Sequence, residues 1–214
     1  MTKVLVVGGG ASYQQMFADM GYELVYDLSE AELVQFTGGE DVSPVYYGEL
    51  PHPRTYSNPR RDAQEAAIYQ YCIAKQIPML GICRGAQFLN VMNGGGLIQD
   101  VTGHALGGTH PCHSDLLGYK VNVTSTHHQM MVMGDGGHLE GWAWKLAHRK
   151  ETRPDEQIVL VSQPCEPEVI YYEETNCLCF QPHPEYYGAE ETRGYYFACI
   201  ETFTRGGDSG SSNW

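Results

Sequence analysis

Apolar positions in the first half of the chain come in short runs separated by stretches with helical spacing. Val4-Leu5-Val6-Val7, closed by Gly8-Gly9-Gly10, predicts a buried strand and its turn. Tyr13 to Met20 predicts a short helix, and Glu23–Tyr26 and Leu33–Phe36 predict two further strands. Asn58-Pro59 supplies an N-cap and a first-turn proline. Beyond it, Ala63, Ala67, Tyr71 and Ala74 recur at helical spacing. After Pro78, Met79–Ile82 reads as a short apolar strand. Arg84 to Met92 reads as a helix stopped by Asn93 and three glycines. Between Phe36 and the long helix lies "TGGEDVSPVYYGELPHPRTYSNP", rich in Gly and Pro. A loop of that length inside a compact domain is usually functional.

The second half changes period. Tyr119–Val123, Gly141–Leu146, Ile158–Ser162, Val169–Tyr172 and Cys177–Gln181 read as strands, and Trp142, Trp144 and Leu146 alternate as if lining one buried face. Glu190 to Arg205 predicts a closing helix. Alternating strands and helices predict a parallel sheet covered on both faces; the later strands cannot all join it in parallel. The expected class is therefore α/β, a mostly parallel central sheet flanked by helices, with added antiparallel strands. Residues 1–205 are expected to form a single domain. Residues 206–214, "GGDSGSSNW", have linker-like composition and are expected to be disordered.

Composition removes several function classes. Lys plus Arg number 13 and Asp plus Glu 26, so the net charge is 13 − 26 = −13. Such a chain repels nucleic-acid phosphates. The only basic patch, Arg54, Arg60 and Arg61, reads as a solvated loop entering a helix. No apolar run approaches the roughly 18 residues of a membrane span. Seven cysteines, no CxxC pair and no signal-like N-terminus suggest free thiols in a reducing compartment, hence a cytoplasmic protein. Cys177 and Cys179, two apart in a strand, are expected to be small core residues.

The candidate chemistry is in "PMLGICRGAQFLN", where Cys83 stands between a strand and a helix. A sharp turn at such a junction exposes the side chain and aims backbone N–H groups at the reacting atom. The helix N-terminus favours a thiolate and a developing oxyanion. The turn is crowded, and Gly81 and Gly85 provide clearance. A lone cysteine is more often a buried core residue; the flanking glycines weaken that reading here. A thiolate needs a base and the base an orienting group. In "FQPHPE", His183 is held between Pro182 and Pro184, with Glu185 two residues on.

Together these two segments resemble the class I glutamine amidotransferase superfamily, whose order is Cys, His, Glu. The resemblance is closest to the γ-glutamyl-γ-aminobutyrate hydrolase type, peptidase family C26. "TGGEDVSPVYYGE", "NPRRDAQE", "NGGGLIQDV" and "STHHQMM" resemble further segments of that branch. The resemblance implies a flavodoxin-like fold and hydrolysis of a γ-glutamyl amide through a thioester. Cys83 would be the nucleophile, His183 the base and Glu185 its orienting acid. The N–H groups of Arg84 and Gly39 would form the oxyanion hole. Gln87, His127, His128 and Gln129 would border the glutamyl pocket. No cofactor or metal is implied. The segment before the Gly-Gly loop and the segment His104–Val121 are compressed relative to the stand-alone hydrolases, and such loops shape the leaving-group side. The expected partner is a small γ-glutamyl substrate. Under the alternative reading, a glutaminase component, ammonia passes to a separate synthetase. A homodimer is left open. A degenerate binding module is disfavoured because Cys83, His183 and Glu185 are all present.

One cluster has a second reading. His104, His110, Cys112 and His113 fall close together, and His127-His128 follow. His110 and His113 have a zinc-like spacing, but no second clean pair accompanies them, so no metal is expected.

Overall fold

Strands whose residues are apolar without interruption sit where both faces of a sheet are covered, and this rule organises the molecule. The computed structural model describes residues 1–144, 151–152, 158–159 and 165–204. The first half runs β1 (Lys3–Val7), α1 (Ala11–Asp19), β2 (Glu23–Val25), β3 (Leu33–Phe36), α2 (Pro59–Lys75), β4 (Met79–Ile82) and α3 (Arg84–Met92). The second half follows with β5 (Gly96–Ile98), β6 (Ala105–Ser114), β7 (Lys120–Thr126), β8 (Met130–Val132) and β9 (Gly137–Ala143). It closes with β10 (Glu151–Thr152), β11 (Ile158–Val159), β12 (Glu166–Tyr172), β13 (Cys177–Phe180) and α4 (Glu190–Phe203).

Among the described residues, nine strands form one sheet in the order β2-β1-β3-β4-β13-β12-β9-β6-β7. The pairings from β2 through to β13 are parallel; β13-β12, β12-β9, β9-β6 and β6-β7 are antiparallel. This is the α/β class expected. The β5-β8 and β10-β11 pairs are separate two-stranded ribbons. β3, β4 and β13 are buried at every position. Their alternate residues feed two cores. Leu80, Ile82, Leu178 and Phe180 face Phe17, Tyr196 and Ile200 of α1 and α4. Met79, Cys177 and Cys179 face Cys72, Phe88 and Leu89 of α2 and α3. Each large side chain so buried contributes roughly 1.5–3 kcal/mol, which makes this double-sided centre the stable platform for the loops at its end. Cys177 and Cys179 are the core residues expected.

The structure corrects three expectations. β6 was not foreseen, because "ALGGTHPCHS" carries Gly, Pro and His where a strand pattern wants apolar alternation. β9 begins at Gly137, ahead of the predicted start, and its buried positions are Glu140, Gly141 and Ala143. Trp142 instead stacks on His113 with ring centroids 5.6 Å apart, and Trp144 is 53% exposed. The Trp alternation therefore does not mark a buried face. The predicted ends at Leu146, Ser162 and Arg205, and the tail 206–214, lie outside the described residues. Among the described residues no helix is long and apolar enough to cross a membrane.

α2 starts as its sequence predicts: the Asn58 side chain accepts a hydrogen bond from the Arg61 N–H at 3.2 Å, and Pro59 occupies the first turn. Asn58→Ala should lower stability by about 1 kcal/mol, read from urea unfolding.

Candidate active site

β4 ends in the middle of the sheet, and the chain must turn at once into α3. Cys83 makes that turn with φ 51° and ψ −112°, a conformation side-chain-bearing residues rarely adopt. Its N–H donates to the Phe180 carbonyl at 3.0 Å, which ties the turn to the end of β13. A Cβ on Gly81 would collide with the backbone of Gly85 and Ala86, and one on Gly85 with the backbone of Phe36. These two glycines are required by close approach. The geometry is that of a nucleophile elbow.

His183 comes to the elbow from the neighbouring strand. Its N–H donates to Thr124 Oγ1 of β7 at 2.7 Å, and its Nδ1 lies 2.6 Å from Glu185 Oε1. Tyr186 stacks on the imidazole, 4.4 Å between centroids and 10° off parallel. Arg193 of α4 donates to the Pro184 and Tyr186 carbonyls, both at 2.9 Å. The ring also meets the Cys83 thiol. Burial opposes the imidazolium, but the Cys83 and Glu185 contacts outweigh it and push His183 up to about 11. Cys83, His183 and Glu185, separated by a hundred residues of sequence, thus share one site.

The Gly38-Gly39 loop closes the other side. A Cβ on Gly38 would stand 3.3 Å from the His183 ring and 3.6 Å from Cys83 Cβ. The Gly38 N–H donates to Tyr13 Oη at 3.1 Å. Burial and the Glu185 carboxylate raise the Tyr13 phenol well above its ordinary value, so it remains neutral. Sequence reasoning missed Tyr13, whose place in a short amphipathic helix marks it only as core. Arg61 was expected in solvent. Instead its guanidinium donates to the Thr37 and Gly38 carbonyls, both at 3.0 Å, and pairs with Glu65 at 2.8 Å and Glu40 at 2.9 Å.

Arg84, the first residue of α3, is buried and ion-paired with both Asp62 and Glu65 of α2. Burial and the nearby Arg61 pull it down to about 10, and it stays charged at neutral pH. Asp62 also accepts from the Ser43 N–H at 3.1 Å and from the Ser43 hydroxyl. The same short stretch of α2 therefore holds the elbow and the glycine loop. The Arg84 N–H lies in the first helical turn, whose donors have no acceptor inside the helix.

The other predicted residues divide. Gln87 is buried, its Nε2 donating to Gln181 Oε1 at 3.0 Å and to the Gln129 carbonyl at 3.3 Å. Gln129 donates to Thr55 Oγ1 at 3.3 Å, and His128 pairs with Asp41 at 3.0 Å. His127 turns the other way. Its Nδ1 meets the Gln129 carbonyl at 2.8 Å, and its Nε2 points to Glu168, 3.8 Å away in the antiparallel half of the sheet.

Residues 21–148 match the family described as Peptidase C26, more than half of the chain. The chain belongs to the peptidase C26 family. The matched region includes the elbow and His127-His128, while His183 and Glu185 lie beyond it. A Mycobacterium tuberculosis protein provisionally named a glutamine amidotransferase is 38% identical to this C26 chain over 128 residues, 51% of the chain and 42% of that protein. The chain thus spans less than half of that relative's length. The solved glutamine amidotransferase of Thermotoga maritima shares the fold, with TM-score 0.60 and 16% identity over 95% of this chain and 84% of that one. The structure of PurLQS from the same organism gives TM-score 0.58 and 17% identity over 94% and 98%.

Two outcomes test this C26 site as drawn. Glu65→Ala leaves two guanidinium groups short of a partner and should cost about 3–5 kcal/mol in urea unfolding. Glu185→Gln removes the carboxylate that favours the imidazolium, so His183 should lose its proton at a lower pH than in the wild type, seen by NMR titration of the ring.

Proposed function

We propose that this chain hydrolyses the amide bond of a γ-glutamyl compound, glutamine or a γ-glutamyl amine conjugate. The observation that carries the reading is the meeting of a positive-φ cysteine with a histidine whose far nitrogen is held 2.6 Å from a buried carboxylate. Cys83 gives its proton to His183, and its sulfur attacks the γ-carbonyl carbon. The oxygen that becomes negative is assigned to the N–H groups of Arg84 and Gly39. The Gly38 N–H is already engaged by Tyr13, which favours Gly39 as the loop donor. His183 then protonates the leaving amine or ammonia as the carbon–nitrogen bond breaks, and a γ-glutamyl thioester remains on Cys83. Water, deprotonated by the same histidine, attacks the thioester; glutamate leaves and the thiol is restored. Glu185 keeps the ring in the tautomer that faces sulfur. Recognition of the glutamyl end is assigned to Gln87, His128 and Gln129: Gln87 donates to the Gln129 carbonyl, and His128 is the chain neighbour of Gln129.

A second reading has the same chemistry serving a separate synthetase, which would take the ammonia. It is favoured by the amidotransferase names of the relatives and by the likeness in fold to PurLQS. A homodimer is compatible with either. In both readings residues 1–205 act as one unit.

The purified chain should release amine from a panel of γ-glutamyl amides, or ammonia from glutamine. Cys83→Ala should lower that rate by roughly 10⁴-fold or more while circular dichroism is unchanged. Full activity in Cys83→Ala would refute the mechanism. Negligible activity that appears only with a synthetase would select the second reading.

A further inference from the structure

Away from the elbow, three histidines and a glutamate converge inside the antiparallel half of the sheet. His104 precedes β6, His110 lies on it, His127 follows β7, and Glu168 lies on β12. All four are buried, and one ligand atom from each lies within 4.8 Å of the others. Glu168 Oε1 is 3.2 Å from His110 Nε2, 3.5 Å from His104 Nδ1 and 3.8 Å from His127 Nε2. None of these approaches is aligned as a hydrogen bond: the three ring nitrogens and both Glu168 oxygens are buried without a hydrogen-bond partner.

The outward nitrogens explain why. His104 Nε2 lies 3.1 Å from Glu166 Oε2, His127 Nδ1 lies 2.8 Å from the Gln129 carbonyl, and His110 Nδ1 lies 3.4 Å from the Pro111 carbonyl. Each of those partners accepts, so each outward nitrogen carries the ring proton. The inward nitrogens are then lone pairs, directed at one another and at a carboxylate. Four acceptors around one point repel unless a cation lies between them. Protons fill the role badly, since each one added makes a further buried imidazolium beside the other rings.

We propose that His104, His110, His127 and Glu168 bind one divalent transition metal, zinc by preference, in a structural site separate from the candidate active site. Three imidazoles and one carboxylate are a tetrahedral zinc set, and with bonds of ~2.0–2.1 Å such ligand atoms stand about 3.3 Å apart. The Glu168 contacts bracket that spacing. The outward hydrogen bonds are the outer shell such sites use to fix ring orientation, a carboxylate behind one histidine and carbonyls behind the other two. The charge of +2 balances Glu168 and Glu166. With four protein ligands and no exposure, the site is closed, which is the structural rather than the catalytic arrangement. It clamps the approach to β6, β6 itself, the end of β7 and β12. The Glu168 carbonyl accepts from the Gln181 N–H at 2.8 Å, two residues before His183, so the clamp also steadies the strand that presents the base.

The test uses the full chain, stripped with a chelator and then given zinc or cobalt(II) alone. Expected are one zinc per chain after gel filtration, a raised melting temperature, and with cobalt the intense visible bands of tetrahedral coordination. Glu168→Gln and His110→Ala should abolish the cobalt spectrum. Glu166→Gln, which alters only the outer shell, should weaken binding about 10–100-fold. Cys83→Ala should bind zinc as the wild type does. A chain that retains no zinc, a Glu168→Gln protein with wild-type affinity, or loss of the metal in Cys83→Ala would each overturn the site. The wild-type stoichiometry decides the matter even if a ligand variant fails to fold.

Discussion

A guanidinium group inside a protein must be matched charge for charge, and the candidate active site is arranged around that requirement. Arg84 is buried at the first turn of α3, and the carboxylates that neutralise it, Asp62 and Glu65, project from α2. Removing one partner of a buried pair costs about 3–5 kcal/mol, a large fraction of the 5–15 kcal/mol that holds a domain folded. The helix after the elbow therefore cannot shift relative to α2 without a heavy loss. Glu65 also holds Arg61, and Arg61 holds the carbonyls of Thr37 and Gly38. One cluster of charges thus sets the distance between the cysteine turn and the glycine loop.

That rigidity is what permits strain at Cys83. A non-glycine residue at positive φ costs on the order of 1–3 kcal/mol and persists only when its surroundings over-determine it. Here β4 is fully buried between β3 and β13, the Cys83 N–H is anchored on Phe180, and α3 is anchored through Arg84. His183 is fixed independently, by Thr124 below and Arg193 beside its loop. The reacting groups reach one another because two separately braced loops leave the carboxyl ends of the adjacent central strands β4 and β13. Crevices at the carboxyl ends of parallel strands are where such folds place their chemistry.

The antiparallel half has a different economy. Its inner layer is polar, with Glu140, Glu166, Glu168 and three histidines buried among the strands. Glu140 is satisfied by the Ser114 hydroxyl, the Leu116 N–H and the Tyr195 hydroxyl. The Glu168 cluster is not satisfied by protein groups, and a cation supplies what the protein leaves open. The antiparallel half thus adds buried polar pairs to the apolar burial it shares with the parallel half through Val121, Val123, Val169 and Ile170.

The chain's own pattern determined the parallel half. Uninterrupted apolar runs, the Asn58-Pro59 start, and the glycines around Cys83 act locally, so β4, α3 and the elbow are legible in the order of residues. The H-P-E triplet likewise marks its own loop. What lay hidden depends on contacts between distant segments. Arg61 and Arg84 look like surface cations until α2 packs beside α3. Tyr13 looks like core until the glycine loop folds over it. β6 lacks a strand pattern because its Gly, Pro and His positions are chosen by the cluster and the neighbouring strands. His104, His110, His127 and Glu168 follow no spacing rule, since their meeting is produced by strand pairing rather than by any period along the chain. Local sterics and periodicity are written in sequence; the matching of buried charges and lone pairs is decided only when the sheet assembles.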